Sequence, residues 1–222
     1  MSKKSALLLG ASGLVGGHCL DYLLSDGYYS QVHVWGRRPL PIEHPRLVQH
    51  QVNFDQLKDQ HPDVDADDVF CCLGTTIKKA GSQDAFYEVD FTYTTEIAKL
   101  SFAGGAEQFL IVSALGADPG SSIFYNRVKG EVEQTITQIG FQGFHIFQPS
   151  LLLGERQEKR FAEEIGQKIF KWLSFAFRGR LRKYRAIQGQ AVAAAMVKIA
   201  RENRSGKQIF ESHQIQTISD QH

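Results

Sequence analysis

The sequence predicts a doubly wound α/β fold, a parallel sheet covered by helices on both faces with a small C-terminal cap, and three observations point to it. Apolar runs of strand length alternate with stretches of helical periodicity, as a helix-covered parallel sheet requires. The first such unit, Ala6 to Trp35, has the ~30-residue length of one strand–helix–strand crossover, and right-handed crossovers build these units into a doubly wound sheet. After Gly154 the pattern changes to charged and aromatic-rich segments, the mark of an appended cap.

The strands are expected at Ala6–Leu9, Val32–Trp35, Leu47–Val52, Val69–Leu73, Phe109–Ser113, Phe144–Phe147 and, after the cap, Gln208–Glu211. Helical periodicity covers Leu14–Leu24, Asp84–Ala103 and Tyr125–Ile139, with Gly140 as a C-terminal stop. The cap is placed at about residues 155–187. It holds an aromatic-rich helix from about Phe161 to Phe177 and a basic run, Arg178, Arg180, Arg182, Lys183 and Arg185. A further amphipathic helix, Ala191–Ala200, leads back to the sheet. At 222 residues the whole chain, 1–222, fits one nucleotide-binding domain with the cap inside it.

The net charge of +1 gives no general pull toward nucleic acid or a membrane surface, so an anionic partner must be held locally. Cys19, Cys71 and Cys72 make no disulfide framework, and the adjacent pair reads as core. The apolar stretch before Gly10 is a first strand rather than a signal peptide, and no run reaches the 18 apolar residues of a membrane span; a cytoplasmic location follows as the expectation. No ligand-type spacing predicts a metal, and no G-x-S-x-G elbow predicts a serine hydrolase.

Directly after the first strand, LLLGASGLVGG sets Gly10, Gly13 and Gly16 as G-x-x-G-x-x-G at the opening of a helix. Glycines there let the backbone turn sharply and approach a pyrophosphate, whose charge is met by N–H groups of Ser12, Leu14 and Val15 at the helix N-terminus. The second strand ends in GRR, where a carboxylate for a ribose 2′-hydroxyl would otherwise stand. Arg37 and Arg38 instead suit a 2′-phosphate, so NADP(H) is the expected cofactor. Phe54 and Asp55 follow the third strand and are candidates for flanking the adenine, beside the plain alternative of a strand-to-turn transition. CCLGTT places Leu73, Gly74 and Thr75 at the carboxyl edge of the sheet, where ligands bind in this architecture.

The fifth strand and its sequel read FLIVSALGADPGSSIFYNRVKGEVEQ. Tyr125 and Lys129 stand four apart on one helix face, and an ammonium beside a phenol favours the phenolate. Ser113 ends the strand and is the candidate to orient a substrate carbonyl toward Tyr125; Ser121 and Ser122, next to Pro119 and Gly120, read as loop residues. His145, within an apolar run, reads as a core histidine.

GASGLVG, GRR, CCLGTT with Lys79 to Gly81, VSALGAD and YNRVKGEVE together resemble the atypical short-chain dehydrogenase/reductases, in particular the branch of the Tat-interacting-protein oxidoreductases, over about Ala6 to Leu152. The resemblance implies a Rossmann-type fold, NADP(H), and a Ser-Tyr-Lys set at Ser113, Tyr125 and Lys129, with Pro149 at the nicotinamide end. Two positions depart from the wider pattern. Gln148, Pro149 and Ser150 stand where many relatives carry Arg-Pro-Gly, and Asp90 stands where an asparagine often supports the lysine. Asp90 is open between holding Lys129 through water and facing solvent.

The function expected from these residues is NADPH-dependent reduction of a small carbonyl-type substrate. A non-enzymatic NADPH-sensing regulator and a nucleotide-retaining epimerase or isomerase stand as the alternatives. The partners expected are a small-molecule substrate and no nucleic acid, with a second copy of the chain or an acidic partner open at the basic run.

Overall fold

The computed structural model describes residues 4–25, 27–57, 66–154 and 185–221. Seven strands form one all-parallel sheet: β1 (Ser5–Leu9), β2 (Gln31–Gly36), β3 (Leu47–Gln51), β4 (Asp68–Cys71), β5 (Gln108–Val112), β6 (Gly143–Gln148) and β9 (Gly206–Glu211). Their spatial order is β3-β2-β1-β4-β5-β6-β9. The order reverses between β1 and β4, the topological switch point at which open α/β sheets bind ligands. Two short strands, β7 (Leu152–Leu153) and β8 (Ile187–Gln188), pair beside the main sheet.

Among the described residues the helices are α1 (Leu14–Ser25), α2 (Ile77–Ala80), α3 (Gln83–Tyr87), α4 (Thr94–Ala103), α5 (Phe124–Thr137), α6 (Gly189–Glu202) and α7 (Ser212–Asp220). Side chains alternate along a strand, so each strand feeds two cores. Ala6, Leu8, Val32, Val34, Phe70 and Phe147 face α1, α6 and α7. Leu7, Leu9, Val69, Ile111 and Ile146 face α4 and α5 through Ile97, Ala98, Val132 and Ile136. Each fully buried aliphatic side chain contributes roughly 1.5–3 kcal/mol of transfer free energy, so the central strands anchor the fold.

All seven expected strands form, within two residues at each end, and the doubly wound class holds. Leu73 and Ser113, expected as strand residues, lie just past β4 and β5, in the connections that carry the site. The single helix expected over Asp84–Ala103 is three segments: α3 and α4 joined by a π-helical stretch, Glu88–Tyr93. Periodicity cannot distinguish this stretch from α-helix, because one inserted residue shifts the face without changing composition.

The strand-to-turn alternative offered for Phe54 and Asp55 is a 3₁₀ turn, Phe54–Gln56, while α2, α7 and the β7–β8 pair were not anticipated. The α7 segment is mostly polar and forms on a narrow stripe, Ile215 and Ile218, with a capping box in which the Glu211 N–H donates to Gln214 Oε1 at 2.9 Å. The aromatic-rich helix expected at about 161–177 and the basic run, apart from Arg185, lie outside the described residues, as does most of the expected cap. Among the described residues no helix is long and apolar enough to cross a membrane.

Candidate active site

At the switch point the chain leaves β1 through Gly10, whose φ of 77° is left-handed; a Cβ there would also stand 2.4 Å from the Cys72 carbonyl oxygen. Gly16 is equally constrained, since its Cβ would lie 2.1 Å from the Gly10 carbonyl oxygen. The turn is closed by the Gly13 N–H donating to Gly10 O at 2.9 Å. Gly13 itself is exposed, and a Cβ on it meets only the Gly10 oxygen, at 3.2 Å. Gly10 and Gly16 thus serve the packing of turn, helix and β4, while Gly13 keeps open the surface that a pyrophosphate would approach. Ser12 and Leu14 are exposed beside it and Val15 is buried; the first-turn N–H groups of α1, which have no intrahelical partners, stand at this notch. The residues present therefore fit a dinucleotide.

Arg37 and Arg38 are exposed just past β2, and Gln51 Nε2 donates to the Arg37 carbonyl at 3.2 Å. Asp55 is exposed nearby and accepts the Tyr93 hydroxyl, while the Tyr93 ring lies 5.7 Å from that of Phe54. Burial and Asp55 push the Tyr93 hydroxyl well up, against the pull of Arg37, so all three groups share one corner. Phe54 is buried in the core, which favours the structural reading of that residue over adenine stacking. Leu73, Gly74 and Thr75 leave β4 toward the same edge. Cys71 is buried, and burial drives its thiol to about 12, as befits a core residue.

Tyr125 opens α5, half-buried, with its ring 5.5 Å from that of Phe86. One turn on, Lys129 is buried, and its Nζ lies 2.6 Å from Asp90 Oδ1. Asp90 is 1% exposed and its second oxygen accepts the Thr75 N–H at 3.0 Å. Asp90 therefore does not face solvent, and it holds Lys129 as one of the two options had it, but by direct contact and not through water. Burial alone would lower the Lys129 ammonium, but Asp90 and Tyr125 more than offset it, and its pKa stands above the ordinary value. Asp90 sits within the π-helical stretch.

Ser113 does not stand free. It is 5% exposed, and its hydroxyl donates to Glu133 on α5, which also accepts Gln148 Nε2 at 3.0 and 3.1 Å. Pro149 is buried, and its carbonyl accepts the Leu115 N–H at 3.0 Å. Ser121 and Ser122 lie in the loop before α5, which presses against Gly130; a Cβ there would lie 2.2 Å from the Asp118 backbone. Glu133 and Gly130 were not singled out beforehand. The spacing holds the signal: Tyr125, Lys129 and Glu133 are successive i, i+4 positions and share one helix face.

A helix-covered parallel sheet, a glycine turn at its switch point and a buried lysine one turn from a tyrosine define a dinucleotide-binding protein of the short-chain dehydrogenase/reductase type. The model of the NAD dependent epimerase/dehydratase family matches residues 6–173, and the chain belongs to that family. It is 41% identical over 174 residues to Protein HTATIP2 of Rattus norvegicus, covering 77% of this chain and 72% of that protein. That similarity puts it in the atypical branch indicated by its motifs. It is also 32% identical over 212 residues to Protein FMP52, mitochondrial, of Candida glabrata, covering 90% of this chain and 86% of that one. A short-chain dehydrogenase/reductase family oxidoreductase from Burkholderia thailandensis shares the fold at a TM-score of 0.68 and 15% identity, over 96% of this chain and 92% of that chain.

Proposed function

We propose that the chain is an NADPH-dependent oxidoreductase that reduces a small carbonyl-type substrate. The observation that carries this reading is the buried Lys129–Asp90 pair one helical turn from Tyr125, since a lysine kept charged in a dry setting is what a proton-donating tyrosine needs. The bound nicotinamide would supply the hydride. Tyr125 donates its hydroxyl proton to the carbonyl oxygen, and Lys129 stabilises the negative charge left on the tyrosine oxygen. Asp90 holds the lysine in place and ties it through Thr75 to the edge that receives the cofactor. Ser12, Gly13, Leu14, Val15, Leu73, Gly74 and Pro149 border that edge. Arg37 and Arg38 select the 2′-phosphate.

The test is NADPH oxidation against a panel of ketones, aldehydes and quinones. Tyr125→Phe is expected to lose about 10²–10⁴-fold in kcat, the range for general acid catalysis, with NADPH affinity retained. Full turnover by that variant would refute the assignment. The family description favours one second reading, epimerase chemistry with a retained nucleotide. Nucleotide that survives purification and gel filtration would support it over free exchange. For location we propose the cytoplasm; the FMP52 relatives are named mitochondrial, so fractionation of a tagged chain decides between the two.

A further inference from the structure

Ser113 is the group expected to meet the substrate carbonyl, yet its hydroxyl proton is committed to Glu133. A serine hydroxyl has one proton and two lone pairs. While that proton lies on the Glu133 side, Ser113 offers only lone pairs to the pocket, and a carbonyl oxygen, itself an acceptor, finds no donor there.

Glu133 is 6% exposed and Gln148 8% exposed. The carboxylate is met by two neutral groups, the Ser113 hydroxyl and the Gln148 amide, and among the described residues it forms no ion pair. The cations that act on it, Lys207 from β9 and Lys129 from its own helix, do so through space. Burial raises the Glu133 carboxyl above the usual glutamate range, against the pull of those hydrogen bonds and lysines. A buried carboxyl held only by neutral partners is free to change its protonation state without breaking a salt bridge.

We infer that Glu133 is a positioning residue that sets the polarity of Ser113: ionised, it captures the serine proton; protonated, it donates to Ser113 Oγ and turns the serine proton toward the substrate carbonyl. The proton that arrives at Glu133 comes from solvent, and none is transferred to substrate from it. Gln148 holds both carboxylate oxygens while adding no charge, so the switch remains poised. The inference rests on the carbonyl-reduction reading for its purpose, but its geometry is measurable without turnover.

The experiment follows the Glu133 carboxyl carbon and the Ser113 hydroxyl proton by NMR across pH in the full chain, in wild type, Ser113→Ala, Gln148→Arg and Glu133→Gln. The expected result is a Glu133 midpoint above the usual glutamate range. Ser113→Ala, which removes a hydrogen bond to the ionised form, moves it up by about one to two pH units, and Gln148→Arg, which supplies a cation, moves it down. The Ser113 hydroxyl resonance shifts at the wild-type midpoint and at no pH in Glu133→Gln. A midpoint indifferent to both Ser113→Ala and Gln148→Arg, or a serine resonance unchanged through it, overturns the inference.

A second arm measures NADPH-dependent reduction of 9,10-phenanthrenequinone. In wild type, kcat/KM falls about tenfold per pH unit above the Glu133 midpoint. That limb moves to lower pH in Gln148→Arg and is absent in Glu133→Gln. Persistence of the limb in Glu133→Gln overturns the positioning role while leaving carbonyl reduction intact. Coupled NMR titrations in a chain that reduces nothing would instead refute the reductase reading and keep the Glu133–Ser113 switch.

Discussion

Asp90 shows how one carboxylate decides the state of its neighbours. With Asp90→Ala, Lys129 is left buried and unpaired, and breaking a buried pair from one side costs about 3–5 kcal/mol. The loss should be measurable in urea unfolding at pH 7. Without its partner the buried ammonium falls below the ordinary lysine value, so the unfolded chain binds the extra proton and part of the loss is recovered as pH rises toward 10. The role proposed for Arg37 and Arg38 is charge-assisted hydrogen bonding to a 2′-phosphate at the surface. Hydrogen bonds to charged groups contribute roughly 1.5–3 kcal/mol, so Arg37→Ala or Arg38→Ala is expected to weaken NADPH about 10- to 150-fold and NADH little. Equal affinity of the parent for both nucleotides, read by fluorescence titration, would contradict the role given to this pair. At this scale Tyr125 and Lys129 were legible because their spacing is a periodicity. Asp90 was singled out, but its direct contact with Lys129 was not, because that contact crosses from one element to another; Glu133 was passed over although it continues the same i, i+4 spacing.

The β1–turn–α1 unit separates two uses of glycine. A Cβ on Gly16 has backbone against it at 2.1 Å and no flexible atom to displace, so Gly16→Ala is expected to destabilise the chain by about 2 kcal/mol or more. Gly13→Ala should fold with a smaller loss of stability than Gly16→Ala, since its methyl meets only the Gly10 carbonyl oxygen at 3.2 Å, and should fail to bind dinucleotide, since it projects where the ligand would come. Thermal unfolding and NADPH titration of the two variants test this directly, and a Gly13→Ala chain that binds normally would move the pyrophosphate elsewhere. The strands were legible because burial on both faces leaves near-continuous apolar runs such as Ala6–Leu9. The π-helical stretch and α7 were not, the first because its composition is that of an α-helix and the second because only Ile215 and Ile218 face the core.

Across the whole molecule the buried titratable groups pull stability in opposite directions with pH. His145 is 0% exposed, its ring nitrogens lack well-formed hydrogen bonds, and burial lowers it to about 4. The unfolded chain takes up the proton first, so stability is lost as pH falls from about 6.5 toward 4, by roughly 3 kcal/mol over the full interval. Glu133 and Asp68 have pKa values raised by burial; their contribution is present below the ordinary carboxyl range and is lost as pH rises through the folded value. Urea midpoints at pH 7 and pH 5 should therefore rise on acidification in His145→Gln. In Glu133→Gln, which lacks a compensating carboxyl, they should fall more steeply than in the parent. The class of fold and the place of the glycine turn were readable from the chain alone, whereas this balance depends on which polar groups the fold encloses.

The strand order also governs how the molecule is assembled. β1 lies in the interior of the sheet with β2 on one side and β4 on the other, and Ala6 pairs with both Val32 and Asp68. Its first neighbour is supplied locally, but its second arrives only after β3 has been added to the far edge of β2. During synthesis the half-sheet β3-β2-β1 thus emerges with the row of β1 amides and carbonyls that later meets β4 still unpaired. Parallel sheets of this connectivity close slowly, because distant segments must meet before their contacts stabilise them. The Gly10 turn, proposed to take the dinucleotide, packs against the Cys72 carbonyl at the end of that same open edge, so the proposed site is complete only when the two halves of the sheet join.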